Sequence, residues 1–459
     1  MPSLDEFKKY STTVCDQIRW KKAHAGIAHE IEDHLCDQRD YYMSQGEEEE
    51  AATQKAILQM GDAVHVGIEL DKTYKPRPQW TLLLLTAALM LVGAGIKYFI
   101  HGGGTFLENF SLIPFVIAMV IFLASYFLDF TVLAKYPKAC YFLILFLSLT
   151  MLFLSSEVNG RAWFIFAHTG FSLVYLTLIF PLAYSLFLYA MRGKGAQGML
   201  LCLAAYFPYA GILLAVPSVS GFVLYTFSTL ILLFAAIRRG WFGIGMKQKQ
   251  LFLLGPVALS VVSIGIIFLQ YSYRFERFRI MLDPVSDPRG YQMTMIRDLM
   301  SGALFAGRGS LPRQYGNDVL SISWFDTDLV LTALTHRYGW IAFIGITLVF
   351  IVFSLLCFKY VSGQRSMLGL MVSLSVLLVF VTQAVSYMAA NLGYGLLTAV
   401  SLPLVSYGKG ALFLNSALIG IMLSVFRTGD IARDSFRPNV KAGSLISYED
   451  GKLIIHLKG

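Results

Sequence analysis

The chain has 459 residues, of which 56% are hydrophobic and only 14% charged. Soluble domains carry about 25% charged residues, so this composition excludes an ordinary water-soluble protein. The formal charge of +8 does not suggest nucleic acid, because the basic residues of the connections between apolar runs are distributed as membrane topology distributes them.

Residues 1–79 read as a small helical unit on the cytoplasmic side. Phe7, Val14 and Ile18 share one helical face, and a second helix spans Ile27 to Met43. Gly46 breaks the chain, Glu47–Glu50 start a third helix where negative charge suits the dipole, and Gly61-Asp62 ends it. Pro76 and Pro78 make a stiff exit before Trp80, an interfacial anchor. The polar, charged start argues against a signal peptide. Cys15, Cys36, Cys140, Cys202 and Cys357 show neither CxxC spacing nor a histidine at metal-ligand spacing, and are read as buried or reduced thiols.

Membrane helices are expected near 80–100, 111–133, 138–156, 163–190, 197–216, 219–237, 251–270, 339–358, 367–392 and 410–427. Each can cross a hydrocarbon core of ~30 Å at about 1.5 Å per residue. The fourth run is overlong, and its first residues, from Trp163, are expected along the interface. Lys135 and Lys138, Arg192 and Lys194, Arg238, Arg239, Lys247 and Lys249, and Lys359 and Arg365 fall on alternate connections. The remaining short loops, 101–110, 157–162 and 393–405, carry only Arg161. The bias puts both termini in the cytoplasm. The expected fold is an all-α polytopic membrane protein: a prefix unit, 1–79; about ten transmembrane helices over 80–427; and a cytoplasmic tail, 428–459. Ser444–Tyr448 and Lys452–Leu457 flank a turn in that tail, a candidate β-hairpin.

The long connection 271–338 faces outward and includes an amphipathic stretch, Tyr291 to Leu304. Its first motif runs Met281-Leu282-Asp283-Pro284-Val285-Ser286-Asp287-Pro288-Arg289-Gly290-Tyr291-Gln292, a turned backbone set by two Asp-Pro pairs and a glycine. Two readings stand: arginines that clamp phosphate, or a surface loop held by local ion pairs. The second motif, Trp324-Phe325-Asp326-Thr327-Asp328-Leu329, leads into the eighth helix. A carboxylate at Asp328, near membrane depth, is a functional-site hypothesis as a proton acceptor or cation ligand. Helix capping by Asp326, Thr327 or Asp328 is the competing reading. The third motif, Ser401-Leu402-Pro403-Leu404-Val405-Ser406-Tyr407-Gly408-Lys409-Gly410, joins the last two helices through irregular backbone.

Taken in this order, the motifs resemble those of the SEDS family (shape, elongation, division and sporulation), the RodA/FtsW/SpoVE-like peptidoglycan glycosyltransferases. That family carries LDPxxDPxGxGYQ, a Gly-rich patch, TDF at a helix start and PLPFISYGGSS. Leu282-Asp283-Pro284, Asp287-Pro288, Gly290-Tyr291-Gln292 and Leu304-Phe305-Ala306-Gly307-Arg308-Gly309 match the first two; Thr327-Asp328-Leu329 and Leu402-Pro403-Leu404-Val405-Ser406-Tyr407-Gly408 match the others. The resemblance covers roughly 80–427. It implies polymerisation of lipid II, the undecaprenyl-linked disaccharide-peptide, at the outer face of a bacterial plasma membrane, beside a class B penicillin-binding protein. Asp328 falls on the family's catalytic carboxylate, as base or as ligand to a divalent cation such as magnesium or manganese; no organic cofactor is implied. Asp283, Asp287, Arg289, Tyr291, Gln292, Ser406, Tyr407 and Gly408 fall on regions that shape the outer cavity and are the expected substrate-binding residues.

The chain departs from the pattern in four places. Where the family carries two acidic residues after TDF, this sequence reads Thr335-His336-Arg337-Tyr338-Gly339. Phe171-Ser172-Leu173-Val174-Tyr175 stands near the QPSE…K segment, Val216-Pro217-Ser218-Val219-Ser220 replaces QPDLG, and Lys409 interrupts SYGGSS. The inverted charge at 336–337 leads to the expectation of a more cationic outer cavity. The alternative reading is a non-catalytic scaffold or lipid-linked precursor flippase on the same fold. Glu30-Ile31-Glu32-Asp33-His34-Leu35, Met60-Gly61-Asp62 and Leu70-Asp71 resemble the prefix domain of permease-like proteins, which implies a regulatory or docking unit.

Overall fold

The computed structural model describes residues 2–100, 112–158, 161–166, 169–216, 218–243, 261–262, 265, 279–312, 315, 327–364, 366–395, 401–406, 408–429, 446–449 and 452–455. The chain divides into two compact units, one built on Met1–Pro78 and one on Gln79–Gly429.

In the first unit, α1 (Pro2–Asp16), α2 (His24–Ser44), α3 (Glu49–Met60) and α4 (Ala63–Tyr74) surround a core of Phe7, Val14, Ile18, Ile27, Ile31, Leu35 and Ala56. Ile27, Ile31 and Leu35 recur at one-turn spacing, which lines one face of α2. The sequence reading stops at Gly61-Asp62, but the chain there both ends α3 and starts α4. Asp62 caps the new helix by accepting from the His65 amide at 3.0 Å. Gly67 lets α4 lie against α1: a Cβ there would fall 2.7 Å from the Val14 carbonyl oxygen.

The second unit begins with α5 (Trp80–Ile100), α6 (Ile113–Phe127), the single turn α7 (Val132–Lys135) and α8 (Pro137–Phe153). A three-stranded antiparallel sheet follows: β1 (Ser156–Val158), β2 (Arg161–Phe166) and β3 (Thr169–Ser172). This corrects the expected helix over 163–190. Trp163 pairs with Ser172 and Phe164 with Phe171, so this segment satisfies its backbone across strands. The helical part of the span is the 3-10 segment Leu173–Leu178 followed by α9 (Phe180–Ala190).

Next come α10 (Gly195–Ala204), α11 (Tyr206–Ala215) and α12 (Val219–Arg238). The break between α10 and α11 lies just before Pro208, which has no amide hydrogen to give the preceding turn. Buried tyrosines serve the carbonyls around the break: Tyr141 donates to Ala205 at 2.7 Å, Tyr184 to Cys202 at 3.0 Å and Tyr225 to Tyr206 at 3.4 Å. The expected seventh span, 251–270, lies outside the described residues except for 261–262 and 265. Beyond it are α13 (Tyr291–Ser301), α14 (Val330–Tyr338), α15 (Trp340–Ser362), α16 (Met367–Asn391) and α17 (Lys409–Thr428).

Among the described residues, seven helical segments are long and apolar enough to cross a membrane, and α6 and α8 are shorter apolar helices. The protein is a polytopic α-helical membrane protein. In the tail, β4 (Ile446–Glu449) pairs antiparallel with β5 (Lys452–Ile455).

Candidate functional site

Helix α16 carries a polar stripe through an apolar sequence. Gln383, Tyr387 and Asn391 are each fully buried and spaced one turn apart. They occupy one helical face over ~12 Å of rise, and buried polar groups at such positions need partners. Their partners are the motif segments.

Tyr387 and Asn391 hold the Thr327-Asp328 turn by its backbone. The Tyr387 hydroxyl donates to the Thr327 carbonyl at 2.9 Å and accepts from the Val330 amide at 3.1 Å. The Asn391 amide nitrogen donates to the Asp328 carbonyl at 3.0 Å, and its oxygen accepts from the Thr332 amide at 3.1 Å. The first amides of α14 are thus served from a neighbouring helix. The N-cap position is Leu329, not Asp326, Thr327 or Asp328. Asp326 itself, with Trp324 and Phe325, lies outside the described residues. Asp328 is half-buried, while Leu329 and Val330 beside it are buried.

Asp328 does not open the eighth span directly, as expected from sequence. It precedes the short helix α14, which ends at Gly339 with φ +95° before α15 begins. The Gly-rich patch crosses at this break. Trp340 and Ile341 donate their amides to the carbonyls of Leu304 and Phe305 at 3.0 and 3.1 Å, and Gly309 donates to His336 at 2.7 Å. A Cβ at Gly339 would meet the Phe305 oxygen at 2.5 Å. His336 is 1% exposed, with Nε2 3.2 Å from the Ser310 carbonyl oxygen. The expected cationic wall is therefore corrected at His336. Its ring is a buried prop for the glycine loop, and Arg337 stands 5.9 Å from the Tyr338 ring centre.

One turn inward, the Gln383 amide nitrogen donates to the Ser401 carbonyl at 3.0 Å. The irregular loop after it holds Ser401 and Leu404 at φ 78° and 64°, a strained region for side-chain-bearing residues. Ser406, expected at the substrate, is instead buried and closes this loop: its hydroxyl accepts from the Leu402 amide at 2.9 Å. Gly408 lies close to the Tyr175 hydroxyl, and Gly410 to the rings of Phe171 and Tyr175. Tyr407 lies outside the described residues. The loop also touches α5, where a Cβ on Gly93 would fall 2.6 Å from the Val405 carbonyl oxygen.

The Asp-Pro loop reaches the same end of α16 through Arg297 of α13. This guanidinium donates to the carbonyls of Met281, at 2.7 Å, and Gly393, at 3.2 Å, and lies 5.4 Å from the Tyr394 ring centre. Asp283 is exposed on the loop, and Tyr291 and Gln292 are exposed in the first turn of α13. Gly290 is required by the turn, since a Cβ would fall 2.1 Å from the Pro284 oxygen. Arg289 is engaged inside the loop, because Asp287 accepts from its Nε at 3.0 Å, its terminal nitrogen at 2.7 Å and its amide at 2.9 Å. These bonds hold the Asp287 carboxyl down to about 2. The ion-pair reading of this loop is the one its geometry supports.

Three motif segments thus meet at the last turns of α16 or just beyond them, and the Gly-rich patch packs at the break between α14 and α15. Gln383, Tyr387, Asn391 and Arg297 organise them, and the sequence reading missed all four. Its available signal was the polar i, i+4, i+8 spacing inside an apolar run. Among the described residues, no three His, Cys, Asp or Glu side chains come together to hold a metal. Among the described residues, Asp328 would contribute one carboxylate to a divalent cation, with a substrate phosphate supplying further oxygens.

The profile of the FtsW/RodA/SpoVE cell cycle proteins matches residues 77–430. A probable peptidoglycan glycosyltransferase FtsW of Pseudoalteromonas translucida is 26% identical over 394 residues, 80% of this chain and 94% of that protein. Stage V sporulation protein E of Bacillus subtilis is 27% identical over 190 residues, 40% of this chain and 50% of that protein. In fold, the chain is similar to one from a peptidoglycan synthase complex that coordinates polymerization and crosslinking. That match has a TM-score of 0.61 at 21% identity and covers 76% of this chain and 98% of that one. It is also similar to the rod shape determining protein RodA of Thermus thermophilus, with a TM-score of 0.53 at 17% identity over 77% of this chain and 97% of that one.

Proposed function

The chain belongs to the FtsW/RodA/SpoVE family of cell cycle proteins, and from that premise we propose that it is a peptidoglycan glycosyltransferase polymerising lipid II at the outer face of a bacterial plasma membrane. One observation carries the reading at this chain's own residues. Asp328 stands half-buried at the convergence of the motif segments, and its turn is fixed through main-chain groups by Tyr387 and Asn391.

In this reading an acceptor sugar hydroxyl gives its proton to the Asp328 carboxylate as its oxygen attacks the anomeric carbon of the donor. The bond from that carbon to the lipid diphosphate breaks, and the diphosphate departs on its lipid. Tyr387 and Asn391 hold the base in place, a form of preorganisation that costs nothing at the moment of reaction. A magnesium or manganese ion carried by the diphosphate would supply charge to the leaving group; the proton transfer does not run through it. In this reading 271–338 lies outside and both termini inside, which the Lys and Arg bias of the short loops supports. Likeness to a chain of a peptidoglycan synthase complex supports a class B penicillin-binding protein as partner.

The test is polymerisation of purified lipid II by the full-length protein, with and without that partner. Asp328→Asn keeps the side chain's shape and the main-chain clamps. It should lower the rate by about 10²–10⁴-fold, the usual cost of a lost general base, with little change in melting temperature. An Asp328→Asn enzyme as fast as wild type would refute the assignment. The scaffold reading is favoured by one feature, the His336-Arg337 pair where relatives of this type carry acids. It gains if wild type with its partner makes no polymer.

A further inference from the structure

The break between α14 and α15 carries an apolar tip that the candidate site does not use. Leu304 and Phe305, in the Gly-rich patch, are 56% and 70% exposed. Their backbone stands against the first turn of a helix long and apolar enough to cross a membrane. The Leu304 carbonyl accepts from the Trp340 amide at 3.0 Å, and the Phe305 carbonyl from the Ile341 amide at 3.1 Å. From that turn an exposed apolar stripe runs along α15 through Ile341, Ile344, Leu348 and Leu355 at helical spacing. On a membrane-crossing helix such a stripe faces lipid chains. The tip therefore continues a lipid-facing surface at the edge where the helix begins.

The main chain of the tip suits the same surroundings. Backbone groups at membrane depth have to be paired within the protein. Here the Leu304 and Phe305 carbonyls are taken by α15, and the Gly307 amide donates to the Tyr338 carbonyl at 3.0 Å. Gly307, at φ +96°, turns the chain back at this point. These polar groups point to protein, while the side chains that point outward are apolar. Beside the tip stand Tyr338 and Trp340, the aromatic types of a headgroup-level belt. Arg308 and Arg337 flank them, and an arginine at this level keeps its stem in apolar surroundings and its head in water.

We propose that Leu304 and Phe305 insert into the lipid leaflet that meets the start of α15, with phospholipid acyl chains just below the headgroups as their partner. In the topology given above this is the outer leaflet. The contact pins the long connection 271–338 to the bilayer through its Gly-rich patch, and it sets the height at which α14 lies. It rests on the membrane fold alone and is independent of the glycosyltransferase reading.

The experiment uses the full-length protein in nanodiscs of phosphatidylcholine and phosphatidylglycerol. The photoreactive residue p-benzoylphenylalanine replaces Phe305, and mass spectrometry reads the adducts after illumination. Phospholipid adducts are expected at position 305 and at Leu348, the membrane-depth control, and none at Glu50 in the first unit. In a second arm Phe305→Trp adds a fluorophore, read as the difference from wild type. Chain-brominated lipid should quench that added emission, at a depth of about 5–10 Å, the usual insertion of an apolar face at this boundary. Both variants should melt as wild type does, because the replaced side chain is exposed; Leu304→Trp repeats the reading if either does not. The proposal is overturned if position 305 gives no lipid adduct while Leu348 does, or if the added emission is indifferent to brominated lipid. It is equally overturned if protein adducts replace lipid adducts once a class B penicillin-binding protein is present, which would make the tip a partner's seat.

Discussion

The side-chain amide of Asn391 donates to the main-chain carbonyl of Asp328 at 3.0 Å. The candidate base is therefore held by a residue sixty-three positions later in the chain, and through its backbone rather than its carboxylate. The same Asn391 side chain accepts from Thr332, so it spans the entry turn of α14.

That double role makes Asn391 a positioning residue. Asn391→Ala should strand the buried Thr332 amide and the Asp328 carbonyl. Leaving such groups unpaired costs about 1–3 kcal/mol each. We expect a lower melting temperature and a reduced kcat for lipid II polymerisation, with KM changed less. Asn391→Asp keeps the acceptor for Thr332 but loses the donor to Asp328, and should restore part of the stability without the rate. Equal kcat in wild type and both variants would remove Asn391 from the site.

Gly339→Ala tests the crossing of the glycine loop. The position combines φ +95° with a Cβ 2.5 Å from the Phe305 oxygen. The dihedral alone costs about 1–3 kcal/mol for a residue with a side chain. The expected result is a clear fall in melting temperature and faster hydrogen exchange at Gly307 and Gly309, which bond to Tyr338 and His336.

His336→Glu introduces an acid where the motif pattern that this sequence resembles has one. In this chain the site is 1% exposed and faces the Ser310 carbonyl oxygen. A carboxylate there would be desolvated and set against another acceptor, a costly arrangement. The variant should be less stable and no more active. A gain in polymerisation would show that the glycine loop rearranges around an acid.

Asp287 sets a pH dependence. Its carboxyl is held at about 2 by Arg289, against an unfolded value near ~3.9. Because the folded value is the lower one, its contribution is complete above pH ~4 and fades as pH falls toward 2. Hydrogen exchange at the Arg289 amide should be insensitive to loop opening by acid from pH 5 to 8, after correction for intrinsic rates. Asp287→Asn should raise exchange there across that range. No difference between the variant and wild type would show that the turn stands without the pair.

Much of this molecule was legible from hydropathy. The boundaries expected for 80–100, 219–237 and 367–392 agree closely with α5, α12 and α16, because an apolar run of sufficient length has one way to satisfy its backbone in lipid. The segment from Trp163 was misread because an apolar, aromatic run does not by itself distinguish strand from helix. The eighth span was expected from 339, but the separate helix α14 before it was not, since its end at Gly339 is set by a backbone crossing from residues 304–306 that lie far away in sequence. At the candidate site, Asp328 was singled out by its position near membrane depth and by motif resemblance. The residues that hold it, Tyr387 and Asn391, sit in a run that reads as a plain membrane span, and their role exists only once α14 is folded against α16.

The two ends of α14 are both anchored, one by Tyr387 and Asn391 and the other by the crossing at Gly339. Its nine residues therefore act as a ruler. One inserted or deleted residue would turn the later part of the helix by about 100° and shift it ~1.5 Å along its axis, so both anchors could no longer be met together. Descent with modification should then tolerate changes of residue type inside this segment while rejecting changes of length. The interval from Asp328 to Gly339 is a better marker for aligning distant relatives than the identities of the residues within it.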